Sequence, residues 1–126
     1  MQNVVSWFEI PVKKLDRAAK FYSQVLGVEL QPMNNGPKKM MTFPFGPGVA
    51  SGGLIESPTA KPSSEGTLVY LAADDLAKSL SHVEKAGGQV LMPKTSIGDH
   101  GFIAEFQDTE GNRVALHSMG PSSFRK

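Results

Sequence analysis

Slid against itself so that Leu15 meets Leu76, the 126-residue chain aligns its two halves without a gap. Gly27 then meets Gly88, Leu30 meets Leu91, Pro32 meets Pro93, Phe45 meets Phe106 and Ser57 meets Ser118. These identities fall at helix starts, helix stops and strand ends, and the apolar classes agree between them: Phe8 with Val69, Ile10 with Leu71, Ile55 with Leu116. A chain that uses one unit twice must pack two copies of the same element order.

Each half opens on a strand rich in β-formers, expected at Val4 to Val12 and Thr67 to Ala73. A helix follows in each. In the first, Leu15, Ala18, Ala19, Tyr22, Val25 and Leu26 recur at helical spacing, and Gly27 stands where a left-handed C-terminal residue is wanted. In the second, Asp74 or Asp75 caps the start, Leu76, Leu80 and Val83 make the stripe, and Gly87-Gly88 stops it. Three extended segments complete each half: Val28 to Gln31, Lys39 to Phe45 and Val49 to Glu56, against Gln89 to Met92, Gly101 to Phe106 and Asn112 to Ser118. Asp108-Thr109-Glu110-Gly111-Asn112 is a strong turn signal. The expected fold class is α+β, as two tandem βαβββ modules within one domain, 1–126. The modules span 3–57 and 67–118, joined by a polar, Pro-punctuated linker at 58–66 and followed by a short tail at 119–126.

Composition narrows the function classes. Apolar residues make up 40% of the chain, enough for a core, and 13 Lys and Arg against 12 Asp and Glu are scattered rather than striped, so no nucleic-acid partner is expected. The absence of cysteine excludes disulfides, thiolate metal sites and Cys nucleophiles. No apolar run approaches a membrane span, and the first residues lack the basic start of a signal peptide, so a cytoplasmic protein without a membrane partner is expected.

Three segments, in this order and at this repeat spacing, carry a resemblance: Trp7-Phe8-Glu9-Ile10-Pro11-Val12, Leu15-Asp16-Arg17-Ala18-Ala19-Lys20-Phe21-Tyr22 running to Leu26-Gly27, and Phe106-Gln107-Asp108-Thr109-Glu110-Gly111-Asn112-Arg113. From about Asn3 to Ser118 the chain resembles the vicinal oxygen chelate superfamily, the glyoxalase, bleomycin-resistance and dioxygenase-like group. The resemblance implies paired βαβββ modules whose curved mixed sheets enclose a cleft, and a homodimer. Metal-dependent members place a His on each module's first strand and a Glu or similar ligand on each last strand. Carried over position by position, these sites fall on Trp7 and Leu68, and on Leu54 and Ala115, none of which can ligate a metal. The expectation is therefore no cofactor and no divalent metal site. A register shifted by two would instead place the last-strand sites on Glu56 and His117; Glu9, Glu56 and His117 would then suit Mn, Fe, Ni or Zn.

Residues two apart on a strand share a face, so Trp7, Glu9, Leu54, Glu56, Leu68, Tyr70, Ala115 and His117 are expected to line the cleft. Phe8, Ile10, Ile55, Val69, Leu71, Val114 and Leu116 are expected to pack beneath the helices. The family's strand order would set Glu9 near Glu56, where paired carboxylates disfavour double ionisation, and Tyr70 near His117. Glu9, Glu56 and His117 are thus the catalytic candidates, and Trp7, Leu54, Leu68, Tyr70 and Ala115 the substrate-binding ones. The simpler readings are solvated strand residues for the first three and a core residue for Trp7. His82 reads as a helical residue without a role, and Asp99-His100-Gly101 as a loop at the rim. Pro44 to Gly48 reads as a hairpin turn, because no phosphate-loop lysine or helix follows it. Two function classes stay open: a protein that binds a small organic molecule, and a lyase or isomerase using Glu9, Glu56 and His117 for metal binding or acid–base work. A third is an interaction module whose sheets only dimerise.

Overall fold

The computed structural model describes residues 4–35 and 38–119. The expected module start at Asn3 and the tail beyond 119 lie outside them. Elements run β1 (Trp7–Pro11), α1 (Leu15–Leu26), β2 (Gln31–Asn35), β3 (Lys38–Thr42) and β4 (Ser51–Glu56), then β5 (Tyr70–Ala72), α2 (Leu76–Ser81), β6 (Gln89–Ser96), β7 (Phe102–Gln107) and β8 (Arg113–Ser118). They form two four-stranded mixed sheets ordered β1-β4-β3-β2 and β5-β8-β7-β6, so the βαβββ unit is used twice as expected. In each sheet the first strand lies at an edge, parallel to the last.

Helix α1 forms because Ala18, Ala19, Phe21, Tyr22 and Val25 present one buried stripe. Gly27 ends it at φ 66°, its amide donating to the Ser23 carbonyl at 2.9 Å. Asp75 caps α2, accepting from the Lys78 amide. The stripe Leu76, Leu80, Val83 outlasts the six-residue helix and continues through tight turns to Gly88. The β6 strand runs past its expected end at Met92, because it is an edge strand where Pro93 breaks no ladder and register shifts absorb the irregularity.

Both modules share one core. Tyr22 of α1 packs edge-on against Phe43 at 5.7 Å and lies 6.2 Å from Phe106 of β7, so α1 stands between the two sheets. The Tyr22 hydroxyl donates to Asp108 Oδ2 at 2.6 Å. Asp108 Oδ1 also accepts from the amides of Glu110 and Asn112, and Asn112 Nδ2 reaches back to the Pro11 carbonyl at 2.7 Å. The turn between β7 and β8 therefore clasps the β1–α1 corner of the other module.

The same turn caps α1, whose first amides have no partner inside the helix. Glu110 Oε1 accepts from the Lys13 and Lys14 amides at 2.8 and 2.9 Å, and Arg17 Nε pairs with Oε2 at 2.7 Å. Glu56 Oε1 takes the Leu15 amide at 2.9 Å. Carboxylates at this end also face the positive pole of the helix.

The ungapped alignment drifts after the helix, and the strand pairing corrects it. Ile10 stands beside Leu54 and Leu71 beside Leu116, so Leu54 matches Leu116, one position later than expected. Met41 pairs with Leu54 and Ala104 with Leu116, so β3 is displaced by one more. The counterpart of Phe106 is thus Phe43, not Phe45, and both pack on Tyr22.

Burial pushes the Glu110 carboxyl up, but hydrogen bonds from Arg17, the Lys14 amide, Thr109 and the Lys13 amide outweigh this and hold it at about 2, below the ordinary 4.5. A carboxyl lowered on folding adds stability that is complete above about pH 4.5 and is lost as pH falls toward 2. Glu110→Gln is expected to cost about 1–3 kcal/mol at neutral pH and to flatten the acid-side stability slope in that window. Urea unfolding at a series of pH values measures both; an unchanged slope would contradict the clasp.

Candidate functional site

Pairing register fixes which side chains leave the shared core. On β1, Phe8 and Ile10 face the helices, so Trp7 and Glu9 lie on the outer face. Trp7 is 37% exposed and meets Phe45 edge-on at 5.8 Å. On the second sheet Leu71, Val114 and Leu116 face inward, which puts Tyr70, Ala115 and His117 on the outer face as expected. Leu68 is half-buried on the same alternation, with Val69 packed toward the core.

Leu54 and Glu56 depart from the expectation. Glu9 pairs with Gly53 and Ile10 with Leu54, so β4 turns Ser51, Gly53 and Ile55 outward. Leu54 lies in the core with no exposure, and Ile55, expected beneath the helices, faces out. Glu56 is spent at the start of α1, on the face opposite Glu9. The carboxylate pair Glu9–Glu56 therefore does not form, and the shared-proton chemistry expected of it has no basis. The cause is the drift of one residue, which flips every side chain of a strand.

With that register, the last-strand positions of the resemblance fall on Gly53 and Ala115, two of the smallest residues. Both are buried among the side chains of the neighbouring strands. Above Gly53 stand Glu9 from β1 and Thr42 from β3. Around Ala115 stand Tyr70 from β5, Glu105 from β7, and Arg113 and His117 along β8 itself. A Cβ at position 53 would lie 2.9 Å from the Met41 carbonyl oxygen and 3.2 Å from Met40, so nothing larger than glycine fits there unless the neighbouring strand gives way.

The face around Ala115 contains a pair that sequence reading missed. Arg113 Nε binds Glu105 Oε1 at 2.8 Å, with a longer contact of 3.3 Å from Nη2 to Oε2. Alternation within Phe102–Gln107 and Arg113–Ser118 carries the signal, since Glu105 and Arg113 share parity with their neighbours around Ala115. His117 Nε2 donates to the His100 carbonyl at 2.7 Å and so tethers the turn Gly98–His100 at the rim. His82 lies instead at a cavity of about 600 Å³, which opens between the modules beside Phe8, Phe43, Tyr70 and Leu71.

A divalent metal does not fit these residues. Trp7, Gly53, Leu68 and Ala115 offer no side-chain donor, and Glu9, Glu56 and His117 are divided between different faces and sheets. Among the described residues no three His, Asp or Glu side chains gather to hold an ion.

Comparison with known proteins agrees with this architecture. Residues 4–116 match the model of the Glyoxalase/Bleomycin resistance protein/Dioxygenase superfamily. A glyoxylase-like domain-containing protein of Didymella fabae is 38% identical over 124 residues, covering 92% of this chain and 94% of that one. A glyoxalase/bleomycin resistance protein from Albidiferax ferrireducens superposes with a TM-score of 0.70 at 18% identity, covering 94% of this chain and 100% of the other. Maize glyoxalase I gives 0.70 at 23% identity, and there the chain covers 90% of itself but only 45% of the longer protein. The chain belongs to the glyoxalase, bleomycin resistance protein and dioxygenase superfamily.

Proposed function

We propose that the chain binds a small organic molecule against the outer faces of its two sheets, without the divalent metal that the family's ligating positions hold elsewhere. The observation that carries this reading is the donor set: Gly53 and Ala115, which carry no ligating group, stand at the last-strand positions where the resemblance places a metal ligand. Trp7 and Tyr70, both exposed on these faces, supply flat apolar surface for a ring or acyl chain.

Both outer faces turn away from the common core, and Trp7, Glu9 and Tyr70 stand exposed on them. A second copy of the chain is the proposed cover, in a cytoplasmic homodimer whose facing sheets close the cleft. Sedimentation is expected to give twice the 13.5 kDa chain mass, and a strict monomer at all concentrations would contradict the dimer.

The relatives' names, among them a putative glyoxylase of Mycobacterium bovis, favour a second reading as a lyase or isomerase. With Glu56 committed to α1, its acid–base work would rest on Glu9 and His117.

Amide shift mapping with a set of neutral aromatic and aliphatic compounds tests the first reading. Shifts are expected at Trp7, Gly53, Tyr70 and Ala115. Tyr70→Ala, which removes an exposed ring from the face, should weaken binding about tenfold or more while the chain stays folded. Shifts confined to the helix side, or binding indifferent to loss of the ring, would overturn it.

A further inference from the structure

The outer face of β5, β7 and β8 carries one carboxylate and one guanidinium, and their exposure is unequal. Glu105 is 16% exposed and Arg113 38%, so the acid is shielded while the cation's head meets the open face. Arginine carries five N–H donors in a fixed fork. Glu105 takes Nε and one hydrogen of Nη2, which leaves the Nη1 edge uncommitted among the described residues. Glu105 also orients the fork, so less side-chain freedom is lost when a second planar anion meets it end-on. Beside it Tyr70, 49% exposed, offers a ring on the neighbouring strand.

We propose that Arg113 is a specificity-determining residue of this face, receiving the carboxylate of a small organic acid whose apolar body lies against Tyr70. The proposal rests on the cleft-binding reading above. It names a substrate class, organic monoacids, and a polarity: the acid end toward Arg113, the body toward His117. The rest of the face supports an anion over a cation, because Glu105 is the sole acidic side chain that β5, β7 and β8 turn outward, and it is already paired.

The test uses matched probes, benzoate with benzyl alcohol and naphthoate with naphthylmethanol, titrated into the full chain and followed by amide shifts. Each acid is expected to bind about tenfold or more tightly than its alcohol, with shifts centred on Arg113, Ala115 and His117. Arg113→Met should abolish the preference, so that acid and alcohol bind with equal affinity. Should that variant unfold because Glu105 is left unpaired, the double variant Glu105→Gln with Arg113→Met removes both charges and answers the same question. Equal affinities for acid and alcohol at these amides would overturn the role of Arg113 while the cleft reading stood. An acid preference that survives both variants would place the anion elsewhere and overturn it too. No outer-face shift with any probe would remove the proposal together with the cleft reading.

Discussion

The fold hangs on a carboxylate-rich turn of one module closing over the helix start of the other. Asp108 organises the turn through the amides of Glu110 and Asn112, and its second oxygen takes the Tyr22 hydroxyl from the middle of α1. Burial, the neighbouring Asp108 charge and this bond push the Tyr22 phenol well above its ordinary range, so it stays a donor. Glu110 meanwhile satisfies the Lys13 and Lys14 amides from 97 and 96 residues along the chain. Because Tyr22 also packs on Phe43 and Phe106, apolar burial and the polar clasp fix the same inter-module geometry. The aromatic contacts supply buried apolar area, and the directional hydrogen bonds fix the register between the modules.

That geometry determines where chemistry can occur. With the inner faces joined around α1, the outer faces carry Trp7, Tyr70 and Arg113. Between them stand the small residues Gly53 and Ala115. At position 53 the crowding of Met40 and the Met41 carbonyl keeps the residue small, so the missing side chain is built into the strand packing and not merely absent from one position.

Features set by neighbouring residues were legible in the sequence. The apolar spacing of Leu15 to Leu26, the left-handed Gly27 and the Asp75 cap depend on three or four positions each, and all three stand as expected. Strand parity was legible in β1, β5 and β8, where polar and apolar residues alternate. In β4 the run Ser51-Gly52-Gly53-Leu54-Ile55 contains no such alternation, so its face had to be borrowed from the repeat offset, which had slipped by one. Leu54 and Glu56 were misplaced for that reason alone. The Tyr22–Asp108 and Arg17–Glu110 contacts join residues far apart in sequence, and a turn signal carries no information about which helix it caps. Arg113 with Glu105 was hidden differently, since a diagonal ion pair shows only once the pairing of β7 and β8 is known.

The central claim is that this cleft works on an organic ligand with no resident metal. Elemental analysis of protein purified without a metal-affinity tag or chelator, repeated after dialysis against Mn, Fe, Ni and Zn, tests it most directly. The account predicts no near-stoichiometric metal under any of these conditions. Metal retained near one per chain, and lost on substituting Glu9 or His117, would contradict it.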